Sequence, residues 1–180
     1  MILYLLYLEE MSNSTHMLYD LLKNSITYKM IENIYDKAVT QALQNRFNQI
    51  HSNTSPLWGQ MNAGQMLAHC CVTYELIFEN KHPKPGLLKR WLFRLIVKPI
   101  VTGEKTYPKN TRTGSEFIIT NTRNFDKEKA RLFDYMNRVC EMGSNEFEGK
   151  VSQNFGRLTA IEWNNMMYKH LDHHLKQFGV

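Results

Sequence analysis

Apolar residues recur at three- and four-residue spacing along most of this chain, the period of a helix with one buried face. Ile31, Ile34, Tyr35, Ala38, Val39, Ala42 and Leu43 predict a first helix from about Lys29 to Gln49, ended by the turn-rich stretch Ser52-Asn-Thr-Ser-Pro56. A second helix is predicted from near Asn62, where Asn62 and Gln65 can form a capping box, to about Asn80. Met66, His69, Val72, Thr73 and Leu76 share its stripe. Pro83, Pro85 and Gly86 break the chain, and Leu87 to Val101 reads as a shorter helix with Leu88, Trp91, Leu92, Leu95 and Ile96 apolar and basic residues opposite. Thr102 to Thr122 lacks a period and predicts a long loop, of the kind that often carries function, in which Phe117-Ile-Ile119 forms a brief strand or packs across the helices. A third long helix is expected from near Asn124 to Gly143, with Asp126 and Glu128 favouring the positive end of its dipole. After a loop to Leu158, the capping box Thr159-Ala-Ile-Glu162 opens a fourth helix that Gly179 ends. The pattern is that of an all-α bundle with an extra short helix and a long loop between helices two and three.

Composition narrows the class without changing that picture. At 180 residues, 43% apolar and 22% charged, the chain is the size of one domain with an ordinary globular balance. No apolar run approaches the ~20 residues of a membrane span, so no membrane partner is expected. The apolar opening Met1-Ile-Leu-Tyr-Leu-Leu-Tyr-Leu8 lacks a basic region before it and a small-residue cleavage site after it, and does not read as a signal peptide. It is either a start placed upstream of Met11, Met17 or Met30, or a short helix that covers an apolar surface or a dimer contact. Cys70, Cys71 and Cys140 are an odd set with two adjacent members, which fits reduced thiols in a cytoplasm rather than a disulfide framework. Cys70 and Cys71 point roughly 100° apart on a helix and read as small buried apolar residues.

Charge is uneven. Between Lys81 and Arg112 nine basic residues stand against Glu104 alone, a local net charge of +8 within a chain of +5. Such a bias attracts an anionic ligand, nucleic acid or a membrane surface, or is simply a solvated face. Neither a recognition helix nor an aromatic-stacking pattern accompanies it, so nucleic acid is not an expected partner.

The chemistry concentrates in histidines. His170 and His174 lie one turn apart on the fourth helix, inside the arc of Trp163, Met167, Leu171, Leu175 and Phe178. His173 also makes an i, i+3 pair with His170, but falls about 100° from His174 and nearer solvent. Buried imidazoles need partners; carboxylates or carbonyls would serve, and so would a metal. His69, on the apolar face of the second helix, is the third candidate ligand. Three imidazoles with open coordination positions suit a catalytic divalent transition metal, and zinc, nickel, iron and copper all accept such ligands. The free ring nitrogens then need acceptors, for which Gln65, Asp172 and Glu75 are candidates. Lys105 or Arg112, from the basic segment, are candidates to hold an anionic cofactor.

Several segments together resemble a branch of the DinB/YfiT-like superfamily: Trp58-Gly-Gln-Met-Asn-Ala-Gly-Gln-Met-Leu-Ala-His69, the basic run at 89–94, Phe125-Asp-Lys-Glu-Lys-Ala-Arg131, Phe155-Gly-Arg-Leu-Thr159 and Tyr168-Lys-His-Leu-Asp-His-His-Leu-Lys-Gln-Phe-Gly179. The likeness begins near Thr27, which leaves residues 1–26 as an N-terminal extension and 27–180 as the domain. It implies a bacterial four-helix bundle of up-down-down-up type, a metal (zinc or nickel foremost, iron as an alternative) on His69, His170 and His174, and often a homodimer. Relatives in that superfamily include metal-dependent transferases acting on low-molecular-weight thiols, so the implied substrate is a small molecule, with an anionic thiol as the family-level expectation. Two accounts follow: an enzyme that activates a thiol or water at the metal, as an S-transferase or hydrolase, or a stress-related helical module that binds metal or ligand without catalysis. No side chain in the sequence stands out as a general acid or base.

Overall fold

The computed structural model describes residues 31–79, 81–111 and 113–180, and the proposed N-terminal extension lies outside them. The first helix, α1, is Lys37–Asn48, and begins later than the apolar spacing predicts. Asp36 caps it by accepting from the Ala38 amide, and the residues before it are held by side chains instead of helical hydrogen bonds. The Ile34 amide donates to Asn164 Oδ1 at 2.7 Å, and Thr40 Oγ1 donates to the Ile34 carbonyl at 2.9 Å. Ile34 is thereby buried from a turn. Of the predicted stripe, Ile34 and Leu43 are buried, Ile31, Tyr35 and Val39 are half-buried, and Ala38 and Ala42 are exposed.

Helix α2 is Ala63–Phe78, with both halves of the Asn62/Gln65 capping box formed. It is buried on nearly every side, and Gly64 is required where it passes the loop at Arg123: a Cβ there would stand 2.9 Å from the Arg123 carbonyl oxygen. The single helix expected over Leu87 to Val101 is three pieces: α3 (Leu87–Leu92), a π-helical turn (Phe93–Val97) and α4 (Lys98–Thr102). Its apolar stripe is not covered by the described residues; Leu87, Leu88, Trp91, Leu95 and Ile96 are exposed. What fixes the segment is polar. Lys169 Nζ donates to the Ile100 carbonyl at 2.9 Å and also reaches that of Gly103, and Asn165 Nδ2 donates to the Thr102 carbonyl at 2.9 Å. These satisfy the orphan carbonyls that end any helix.

Among its described residues the long loop that follows carries no strand; Ser115–Phe117 is a 3-10 turn. Helix α5, Phe125–Met142, is capped by Asn124, which accepts from the Lys127 amide, and stopped by Gly143 at φ 70°. The connection to the last helix holds a 3-10 turn (Ser144–Phe147) and a small antiparallel pair, β1 (Val151–Ser152) and β2 (Gly156–Arg157). Helix α6, Ala160–Gln177, opens on the Thr159/Glu162 capping box. The described chain is thus mostly helical. α1 and α2 each pack on both α5 and α6. Their shared core includes Leu43, Phe47, Met66, Leu67, Met136, Met167 and Leu171, each contributing about 1.5–3 kcal/mol through burial. No described helix is long and apolar enough to cross a membrane.

Candidate metal centre

α2 brings His69, and α6 brings His170 and His174, to one place between them. The ring centroids form a near-equilateral triangle, 5.0 Å from His69 to His170, 4.6 Å from His69 to His174 and 4.8 Å from His170 to His174. One ligand atom from each lies within 4.8 Å of the other two, a group that could hold a metal ion. No carboxylate or thiol joins them among the described residues.

Each outer ring nitrogen has a partner, and two of the partners fix the tautomer. The Phe117 carbonyl, 2.8 Å from His69 Nδ1, can only accept, so that nitrogen carries the hydrogen and Nε2 keeps its lone pair. Gln177 is oriented by its own Nε2 donating to the Trp58 carbonyl at 2.7 Å, which turns Oε1 toward His174 Nδ1, also at 2.7 Å. His174 therefore also leaves Nε2 bare. His170 differs: its Nδ1 lies 3.0 Å from Thr73 Oγ1, and its Nε2 lies 3.0 Å from His69 Nε2. The hydroxyl of Thr73 donates or accepts, so it serves either tautomer of His170. With metal–nitrogen bonds of about 2.0–2.1 Å, two imidazoles on one ion stand about 3 Å or slightly more apart, and the Nε2 pair of His69 and His170 already has that spacing.

Electrostatics favour the ligating form. Burial pushes His69 below the ordinary imidazole value, against the pull of the Phe117 carbonyl. Burial, reinforced by the neighbouring His174 and His69, pushes His170 well below it. His174 is pushed down to about 3 by burial and by His69. All three rings are neutral at physiological pH, as metal ligation demands.

The remaining sequence candidates take other partners. Gln65 closes its capping box, accepting from the Asn62 amide, and does not meet His69. Asp172 pairs with Arg46 at 2.9 Å and Lys176 at 2.6 Å. Glu75 pairs with Lys81, His82 and Arg131 on the far side of α2. In each case a nearby cation or an unpaired helix N–H claims the oxygen. Lys105 is exposed on the loop, and Arg112 lies outside the described residues. The structure sets Lys109 4.2 Å from the Trp58 ring centre and Lys169 4.7 Å from that of Tyr107; Trp58 and Tyr107 each stand 5.8 Å from the ring of His173, itself 5.2 Å from His174. Phe117 covers His69 and His170 at ring distances of 5.3 and 5.9 Å. Thr73 and Gln177 had a signal, one turn from His69 and from His174 on the same helices; Phe117 packs across the helices, one of the two readings of 117–119, and Trp58 had no signal in spacing, since a loop brings it in. Cys70 and Cys71 are buried away from the group, and burial keeps both thiols protonated, Cys71 up to about 12.

Fold and site together define a helical protein with a buried three-histidine group. The chain belongs to the family described as protein of unknown function (DUF1569), which it matches over residues 30–179. Comparison with curated proteins gives no match, and neither does comparison with solved structures.

Proposed function

We propose that this protein is a DinB-like four-helix bundle acting as a divalent-metal-dependent enzyme, with His69, His170 and His174 as the ligands and a low-molecular-weight thiol or water as the activated group. The observation that carries the reading is the count of ligands: three imidazoles and no fourth protein donor in the described group. Closed structural sites have four protein ligands, whereas three leave positions for water or substrate. The donor set, neutral nitrogen throughout, suits zinc or nickel and also iron. When bound, such an ion would lower the pKa of a coordinated thiol or water and so supply a nucleophile near neutral pH.

The chain's own residues do the rest. Phe117 and Gln177 hold two rings with Nε2 turned inward, and Thr73 holds the third. Phe117 excludes water from one side by covering two of the rings. Lys109, over Trp58 beside His173, is positioned to attract an anionic thiol, a role the sequence assigned to Lys105 or Arg112. The ring of α1, α5, α2 and α6, with one histidine from the second long helix and two from the fourth, is the arrangement the resemblance implies and supports the bundle assignment.

Metal content tests this directly. Untagged protein should carry near one equivalent, and the triple His69→Ala/His170→Ala/His174→Ala variant none. Substoichiometric metal in both, even after zinc or nickel is added, would leave the histidines as partners of one another in a plain core. With metal established, thiol-transfer activity lost in folded His170→Ala marks an enzyme, and a loss of stability alone marks a structural site.

A further inference from the structure

The segment Leu87–Thr102 has two unlike sides. Its inner side is anchored by the carbonyl contacts to Lys169 and Asn165 and by Phe93, whose ring lies 6.4 Å from that of Phe155. On its outer side Leu87, Leu88, Trp91, Leu95, Ile96 and Ile100 are between 51% and 84% exposed. Single exposed apolar residues are normal, but six on one short segment form a patch that monomers rarely present without use. The π-helical turn at Phe93–Val97 is part of the device. By inserting one residue into the winding it keeps Leu95, Ile96 and Ile100 on the side of Leu87, Leu88 and Trp91, where an unbroken α-helix would let the later ones drift.

Cations flank this face. Lys84, Lys89, Arg90, Arg94 and Lys98 lie on or beside it, within the stretch from Lys81 to Arg112 that carries +8. Glu116, 3.7 Å from Lys89, and Glu162, 2.8 Å from Lys98, offset two of these five, while Lys84, Arg90 and Arg94 form no ion pair among the described residues. An occupant must match both features. A second copy meeting this face symmetrically would set two strongly positive segments against each other. Nucleic acid would take the cations and leave the six apolar side chains in water. The surface of an anionic bilayer takes both, receiving leucine, isoleucine and tryptophan at the headgroup boundary and lysine and arginine at the phosphates. The expectation of no membrane partner rested on the lack of a spanning segment; a segment lying in the surface needs none.

We propose that Leu87–Thr102 docks the protein on an anionic membrane surface, with Leu87, Leu88, Trp91, Leu95, Ile96 and Ile100 inserted and the flanking lysines and arginines at the headgroups. Because Lys169 and Asn165 belong to α6, the docked face backs onto the helix that carries His170 and His174. The inference stands independently of what the histidines bind.

Co-sedimentation of the full chain with vesicles tests it. Phosphatidylglycerol/phosphatidylcholine vesicles should pellet the protein, and pure phosphatidylcholine should bind at least tenfold more weakly. Leu88→Glu/Trp91→Glu should abolish binding, and Lys89→Glu/Arg94→Glu should weaken it and its salt dependence. The substituted side chains are exposed, and circular dichroism and thermal melts checked for each variant separate lost docking from lost folding. Absence of binding to anionic vesicles would overturn the proposal, as would equal binding to neutral ones or binding unchanged by Leu88→Glu/Trp91→Glu. So would a concentration-dependent dimer that Leu88→Glu/Trp91→Glu dissociates in protein that ignores vesicles, or duplex DNA bound through Lys89 and Arg94 by protein that ignores vesicles.

Discussion

At the scale of the residue, Thr73 is the most telling side chain near the histidines. Phe117 and Gln177 present only acceptors and fix His69 and His174 in one tautomer, whereas Thr73 allows His170 either one. With the Nε2 atoms of His69 and His170 at 3.0 Å and His69 Nε2 bare, the hydrogen between them sits on His170, and Thr73 donates to His170 Nδ1. Ligation through His170 Nε2 requires that hydrogen to move, and Thr73 then becomes the acceptor of an Nδ1–H. Thr73→Val keeps the shape and removes both roles, so it is expected to weaken metal affinity about 10- to 100-fold, with Thr73→Ser close to wild type. Competition with a chelating dye measures this without any assay of activity. Affinity unchanged in Thr73→Val would mean that packing alone orients His170.

At the scale of the element, the helices that hold the site were legible because each carries its own start signal. Asn62 with Gln65 and Thr159 with Glu162 mark α2 and α6 to the residue, and the periodicity then sets which faces are inward, so the three histidines the structure gathers are the three that the pattern selects. What was not legible depends on distant partners. The Phe117 carbonyl that accepts from the His69 ring and the Trp58 carbonyl that orients Gln177 arrive on loops 48 and 119 residues away from the side chains they meet, and no local spacing encodes such encounters. The first helix failed for a related reason: Asn164, far along the chain, holds Ile34 in a turn. Segment Leu87–Thr102 misled in another way, since an apolar stripe promised cover that the described chain does not supply. Gly64 shows how tightly a loop can seat on a helix. Gly64→Ala would thrust a methyl against the Arg123 backbone, and a loss of about 1–3 kcal/mol is expected in urea melts, with a weaker grip on the loop leading from Phe117. A neutral outcome would mean the loop shifts freely.

At the scale of the molecule, the charged cluster opposite the metal centre ties α2 to α5. Burial pushes the Glu75 carboxyl up, but hydrogen bonds from His82 and Lys81 and the charge of Arg131 outweigh it and hold the group below the usual carboxylate range. A carboxyl lowered in the folded state adds stability that is complete above its unfolded value, about 4.3, and is lost as pH falls through the folded one. The melting temperature should therefore drop between about pH 5 and pH 3, and Glu75→Gln should flatten that drop while costing on the order of 2 kcal/mol at pH 7. A melting curve with the same acid limb in Glu75→Gln would assign the loss to other carboxylates.

The Gln177 amide has one hand on the His174 ring and the other on the backbone of Trp58, whose indole stands close to Lys109 and His173. Any reorientation of His174 is passed through a single side chain to a fluorophore in a changing electric field. In a background where Trp91 and Trp163 are replaced by phenylalanine, the emission of Trp58 becomes a built-in spectroscopic gauge of the histidine cluster, readable in solution without label or substrate.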